Sequence, residues 1–197
     1  MWRTVILGKQ AKILSAAQAK LVLAYLSQTR HPARNKVIFL LSLRAGFRAK
    51  EIAGIKWSML LDPEGNISSV IRLEDNVTKG RSGGIIPIAD DLNKALLDLQ
   101  AQQQFFPHAN IVCSERAKSF SAQSIVNLFR YWYYTVGFEG CSSHSGRRTF
   151  ITNAARNIGR FGGSIRDVQA LARHRSLSMT QNYIEIDNDA LIKVVNI

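Results

Sequence analysis

The chain is poor in cysteine, proline and acid: two cysteines, four prolines and 14 Asp and Glu among 197 residues. Cys113 and Cys141 form no CxxC pair and belong to no His/Cys group at zinc spacing, so neither a disulfide framework nor a structural metal is indicated. No apolar run approaches the ~18 residues of a membrane span, and the apolar part of residues 1–9 is too short for a secretory signal. A cytoplasmic protein without membrane association is expected. Internal repeats, low-complexity tracts and Pro- or Ser-rich linkers are also missing. The expectation is a single domain over 1–197, with 1–14 as a leader and 188–197 as a C-terminal tail that docks on a neighbouring subunit or on its own domain.

What is abundant is positive charge. Against those 14 acids stand 26 Lys and Arg, a net charge of +12. With 46% hydrophobic residues the chain can bury a core, while its charge calls for a polyanionic partner, most often nucleic acid. The charge is uneven. Arg147, Arg148, Arg156, Arg160, Arg166, Arg173 and Arg175 face the single acid Asp167 between residues 144 and 175, which marks that third as the phosphate-facing region.

Apolar periodicity predicts helices over 15–29, 33–45, 48–55, 91–104, 121–136, 145–157, 164–173 and 178–185, with a last apolar stretch at 190–195. Between them, 69–73 and 84–88 read as two strands joined by the basic, glycine-rich turn Lys79-Gly80-Arg81-Ser82-Gly83-Gly84. The fold class is therefore mostly α with one small antiparallel β-sheet. Phe129, Tyr131, Trp132, Tyr133 and Tyr134 suggest base stacking, but a helix shared between core and surface accounts for them better.

Four local patterns carry chemistry. Tyr183 follows His174 by nine positions, and His174 lies between Arg173 and Arg175. A free tyrosine phenol has a pKa near ~10, so to attack a phosphodiester it needs a proton acceptor and cations around the phosphorus. His144 and Arg147 stand three apart at the start of a helix, where they share a face and backbone amides favour an anion. Alone, such a pair is more often a capping histidine beside a solvated arginine. Arg48 precedes Glu51 by three, which is either a surface ion pair or a carboxylate that orients the arginine. Lys79 is a turn cation able to swing toward a leaving oxygen. None of the four is decisive by itself.

Their order is. Ala45-Gly46-Phe47-Arg48-Ala49-Lys50-Glu51-Ile52, Thr78-Lys79-Gly80, His144-Ser145-Gly146-Arg147-Arg148-Thr149-Phe150-Ile151-Thr152, and Leu171-Ala172-Arg173-His174 with Tyr183 together resemble the tyrosine recombinase (phage integrase) family over about residues 15–190. There are two departures: Arg148 where many members carry histidine, and Ala172-Arg173 where a glycine is commoner.

The resemblance implies a site-specific DNA recombinase whose catalytic residues are Arg48, Lys79, His144, Arg147, His174 and the nucleophile Tyr183. Glu51 would support them, and Arg81, Arg148, Arg173 and Arg175 would contact DNA. It further implies a 3′-phosphotyrosine intermediate, no ATP, metal or other cofactor, and double-stranded DNA as partner. A homotetramer exchanges strands through a Holliday junction, with a monomer in the absence of DNA and accessory DNA-bending proteins also expected. The architecture that matches is a catalytic domain without the N-terminal DNA-clamping domain of most members, either standing alone or as a fragment of a longer protein. A type IB topoisomerase or a non-cutting DNA-binding regulator of the same fold remain the alternatives.

Overall fold

The computed structural model describes residues 10–75, 83–102, 106–114 and 119–184. Helix α2 (Pro32–Ala45) is the axis of the fold. It starts on a proline, whose fixed φ suits the first turn, and ends at Gly46 in the left-handed conformation with φ 64. Every residue from Val37 to Leu43 is buried, because α2 packs against α6 (Ser145–Asn157), α4 (Asp90–Ala101) and α1 (Ala16–Leu26) on different sides. Helix α1 begins in a capping box: Ser15 Oγ accepts from the Gln18 backbone N–H at 3.1 Å, and Gln18 Oε1 accepts from that of Ser15 at 2.9 Å.

Short helix α3 (Ala49–Gly54) packs on α5 (Ala122–Thr135). The hairpin pairs β1 (Val70–Leu73) with β2 (Gly84–Pro87) in antiparallel register, Val70 opposite Pro87 and Leu73 opposite Gly84. On α5, Phe129, Trp132 and Tyr133 are buried, whereas Tyr131 and Tyr134 are 60% and 84% exposed. One helix thus serves both core and surface. Residues 10–14, expected as a leader, are tied to the domain: Leu14 is buried and its N–H donates to Thr149 Oγ1 at 2.9 Å, while that of Lys12 donates to the Gly140 carbonyl at 3.2 Å.

Two glycines set how closely the site's elements approach. At Gly146, in the first turn of α6, a Cβ would lie 2.4 Å from Ser42 Oγ and 3.1 Å from the Ser42 backbone carbon, so only glycine lets α6 settle this deeply on α2. At Gly46 the left-handed backbone already favours glycine, and a Cβ would meet the Phe150 ring at 2.6 Å. The end of α2 and the start of α6 are thereby held against each other.

The last helices, α7 (Ile165–Ala172) and α8 (Leu177–Gln181), pack on each other, and α7 supplies Val168 and Ala172 to a second small cluster with Ile151 of α6, against which Tyr183 packs. Helix α8 is shorter than the 178–185 expected. After Gln181 the chain tightens into three-residue turns, the Tyr183 N–H donating to Thr180 O at 3.0 Å and that of Ile184 to Gln181 O at 2.9 Å. The expected tail at 188–197 lies outside the described residues, as does 103–104 of the expected fourth helix.

Candidate active site

Arg48 is the N-cap of α3, two residues after the turn at Gly46. Glu51, at the third position of that helix, reaches back: its Oε2 accepts from the Arg48 backbone N–H at 2.8 Å and its Oε1 from Arg48 Nη1 at 2.9 Å. The pair is no surface decoration, since the Glu51 side chain is 0% exposed and that of Arg48 24%. A third bond arrives from the far end of the chain, Arg173 Nη2 to Glu51 Oε2 at 2.8 Å. Burial alone would raise the Glu51 carboxyl, but Arg173, the Arg48 N–H, and the guanidinium groups of Arg48 and Arg147 outweigh it and hold the acid below its ordinary value.

Arg147 enters from the first turn of α6 and is 3% exposed. Its Nη1 donates to the Gly46 carbonyl and its Nη2 to the Ala172 carbonyl, tying the ends of α2 and α7 to α6. Desolvation, followed by the charges of Arg48 and Arg173, lowers its pKa to about 10, which still leaves it a cation at neutral pH. His144, at the N-cap position of α6, makes no capping bond through its side chain. Protein crowding on one face, together with Arg147 and Arg48, pushes its imidazole below the ordinary value. The ring is therefore neutral at pH 7 and able to accept a proton.

His174 is buried, and its Nδ1 lies 2.9 Å from Thr180 Oγ1, itself fully buried on α8. Its ring stacks on Tyr183 with centroids 5.4 Å apart and planes inclined by 27°. Burial first, then Arg147, Arg48 and Arg173, lower its pKa to about 4. Where the Thr180 hydroxyl donates its hydrogen bond to Nδ1, the neutral ring carries its proton on Nε2, from which it can donate to a ligand. Thr180 carries no signal in the sequence. An ordinary helical threonine three residues before Tyr183 gives no signal until the fold sets it against His174.

A pH dependence follows. Because the folded value of His174 lies below the ordinary 6.5, the unfolded chain takes up a proton that the native ring refuses. Native stability therefore falls as pH is lowered from about 6.5 to about 4. His174→Asn is expected to flatten the dependence of the urea midpoint on pH in that window, leaving a residual slope from His144. An unchanged slope in the variant would show that the ring is not shielded.

Arg48, His144, Arg147, Arg148, His174 and Tyr183 line one cleft of 410 Å³, together with Gln10 and Ala11 from the N-terminal segment. Lys79 and Arg81 lie outside the described residues. Arg148, expected at DNA, lines the cleft while donating from Nη1 to the Ala11 carbonyl at 2.9 Å. Arg175 is exposed. Arg173 differs from expectation: its side chain is 2% exposed and turned inward onto Glu51. A buried carboxylate holds it, so no phosphate in the cleft is needed to neutralise it.

A helical domain with one small hairpin, placing this cleft where the ends of α2, α6 and α7 meet, has the fold of tyrosine recombinase catalytic domains. Crystallised XerA recombinase matches with a TM-score of 0.70 and 25% identity, over 96% of this chain and 64% of that one. The Tn1549 transposon integrase in complex with a circular intermediate DNA has a TM-score of 0.75 at 17% identity, over 95% of this chain and 66% of its own. The chain belongs to the phage integrase family, whose model matches residues 12–189. Among curated relatives, tyrosine recombinase XerC of Brucella melitensis is 26% identical over 165 residues, 82% of this chain and 49% of that protein. Tyrosine recombinase XerD of Lacticaseibacillus casei is 25% identical, covering 82% of this chain and 53% of its own length. The chain thus spans about half the length of the curated relatives it matches. Among the described residues, no helix is long and apolar enough to cross a membrane.

Proposed function

We propose that this chain is the strand-cleaving and rejoining domain of a site-specific DNA recombinase. The observation that carries the reading is the convergence of three arginines, two histidines and a tyrosine in one cleft, with a buried acid holding one of the arginines. Three arginines surround the single carboxylate Glu51, so the cleft has surplus positive charge that a phosphodiester would neutralise. Those cations are held in place before substrate arrives, which is the condition under which charge stabilisation is effective.

In this mechanism the Tyr183 oxygen attacks the phosphorus of one DNA strand and the bond from phosphorus to the 5′ oxygen breaks. A 3′-phosphotyrosine forms and a 5′ hydroxyl leaves. The neutral His144 accepts the phenolic proton, and Lys79 protonates the departing oxygen. Arg48 and Arg147 neutralise the non-bridging oxygens, while His174 donates a hydrogen bond from Nε2. Attack of a second strand's 5′ hydroxyl on the phosphotyrosine restores a phosphodiester and frees the tyrosine. Bond energy is conserved in the covalent link, so ATP is not required. Each subunit cuts one strand, so exchange between two duplexes takes four subunits and passes through a Holliday junction.

The test is a nicked duplex carrying a site selected from random DNA by binding to this protein. Wild-type protein is expected to form a covalent adduct that survives denaturation, and Tyr183→Phe to form none. Passage of the cut strand to a second duplex selects recombination, whereas resealing with loss of supercoils selects topoisomerase action. Binding without any adduct would sink both and leave a non-cutting DNA-binding protein.

A further inference from the structure

Among the described residues, Arg173 is the one non-glycine residue with positive φ, at 54°. It follows α7 in the left-handed conformation that glycine adopts freely and that a residue with a Cβ adopts at a cost. Such a conformation persists only where surrounding contacts over-determine it, and here they do. Besides the 2.8 Å bond to Glu51, Nη1 lies 3.4 Å from the carbonyls of Ala45 and Leu171, and Nη2 lies 3.5 Å from that of Gly46. The guanidinium sits 4.9 Å above the centre of the Phe47 ring. A Cβ on Gly84 would be 3.6 Å from Arg173 Cγ and Cδ, so the first residue of β2 lies against the arginine's stem. Gly84 opens β2 and stands five positions after Lys79 in the sequence.

We propose that Arg173 is a positioning residue for strand cleavage. It does not meet DNA: its guanidinium holds Glu51, which holds Arg48 at the cleft, and its stem braces the first residue of β2. This rests on the cleavage reading above.

The groups facing Glu51 are Arg48 from the junction of α2 and α3, Arg147 from α6, and Arg173 from the end of α7. Burial raises the carboxyl, and of the groups that oppose it Arg173 acts most strongly. Since the folded value is below the ordinary one, the contribution of Glu51 is present above the ordinary carboxylate range and lost as pH falls through the lowered value. Removing Arg173 moves that loss to higher pH, and a protonated Glu51 no longer restrains Arg48.

The experiment compares wild type, Arg173→Met and Arg173→Lys in three measurements. Binding to a short mixed-sequence duplex is followed against salt, and the slope of log K on log[salt] is expected to stay the same in both variants. The rate of adduct formation at saturating protein on the selected nicked site is expected to fall roughly 10- to 100-fold in Arg173→Met, the scale of a small misplacement of a reacting group. The acid limb of thermal unfolding is expected to move to higher pH in Arg173→Met and to return toward wild type in Arg173→Lys.

A methionine variant whose salt slope drops by about 1 would make Arg173 a phosphate contact, and one with an unchanged adduct rate and acid limb would leave it without a positioning role. Either overturns the proposal. If Arg173→Met does not fold, Arg173→Lys decides. An ammonium lacks the planar fork that lies over the Phe47 ring while it grips Glu51, so the lysine variant is expected to keep Glu51 ionised but place it less firmly and to form adduct several-fold more slowly than wild type; a wild-type adduct rate overturns the proposal. Wild-type protein that forms no adduct would remove the cleavage reading instead, and the salt slope and acid limb would still decide whether Arg173 faces DNA or Glu51.

Discussion

Arg147→Ala is expected to eliminate covalent adduct formation, lowering its rate by roughly 10²- to 10³-fold or more, as loss of a preorganised charge-stabilising donor does, and to destabilise the domain at the same time. The side chain is 3% exposed and donates to both the Gly46 and the Ala172 carbonyls, the former reached otherwise by Arg173 Nη2 at 3.5 Å. Deletion leaves those acceptors short of a partner in the interior, at about 1–3 kcal/mol for each one left unsatisfied, and loosens the meeting of α2, α6 and α7. Arg147→Lys separates the two effects. An ammonium restores charge without the planar fork that grips two carbonyls at the wall of the cleft, so it should recover part of the stability and little of the rate. Adduct formation and the urea midpoint, measured on the same preparations, check this. A near-normal rate in the alanine variant would remove Arg147 from the site.

Glu51→Ala is expected to be among the most destabilising single changes in the chain. It strips the Arg48 backbone N–H of its acceptor and leaves Arg173, with a side chain 2% exposed, as a buried cation without its counter-ion. Breaking a buried ion pair from one side typically costs about 3–5 kcal/mol. For a domain of this size each kcal/mol lowers the melting temperature by roughly 2–4 °C, so calorimetry should show a drop on the order of 10 °C. The double variant Glu51→Ala with Arg173→Met should recover much of that loss, because no orphaned buried charge remains. A melting temperature unchanged in the single variant would mean that Arg173 reaches solvent.

Much of this architecture is legible in the sequence. The helix over 145–157 begins and ends where its periodicity placed it, and Ser15 caps α1 as its residue type suggests. The hairpin followed from two short apolar runs flanking a basic glycine turn. Such features depend on neighbours within a few residues, and side-chain type with backbone propensity decides them. The end of α8 did not follow, because the turns that release Tyr183 from the helix compete with continued helix by small margins.

The arginine-rich third shows where local reading stops. All seven arginines between residues 144 and 175 look alike in the sequence, yet Arg147 and Arg173 point inward while Arg156, Arg160, Arg166 and Arg175 are exposed. Arg173 turned inward because a carboxylate 122 positions earlier stands opposite it, beneath a left-handed backbone that nothing in its own neighbourhood announces. Thr180 became the partner of His174 for the same kind of reason. The sequence by itself determined the residue types, their order along the chain and the sign of the charge, which are local and additive properties. Only the tertiary structure decided which cations face the cleft and which one sustains it, since burial and pairing depend on what the fold brings opposite each side chain.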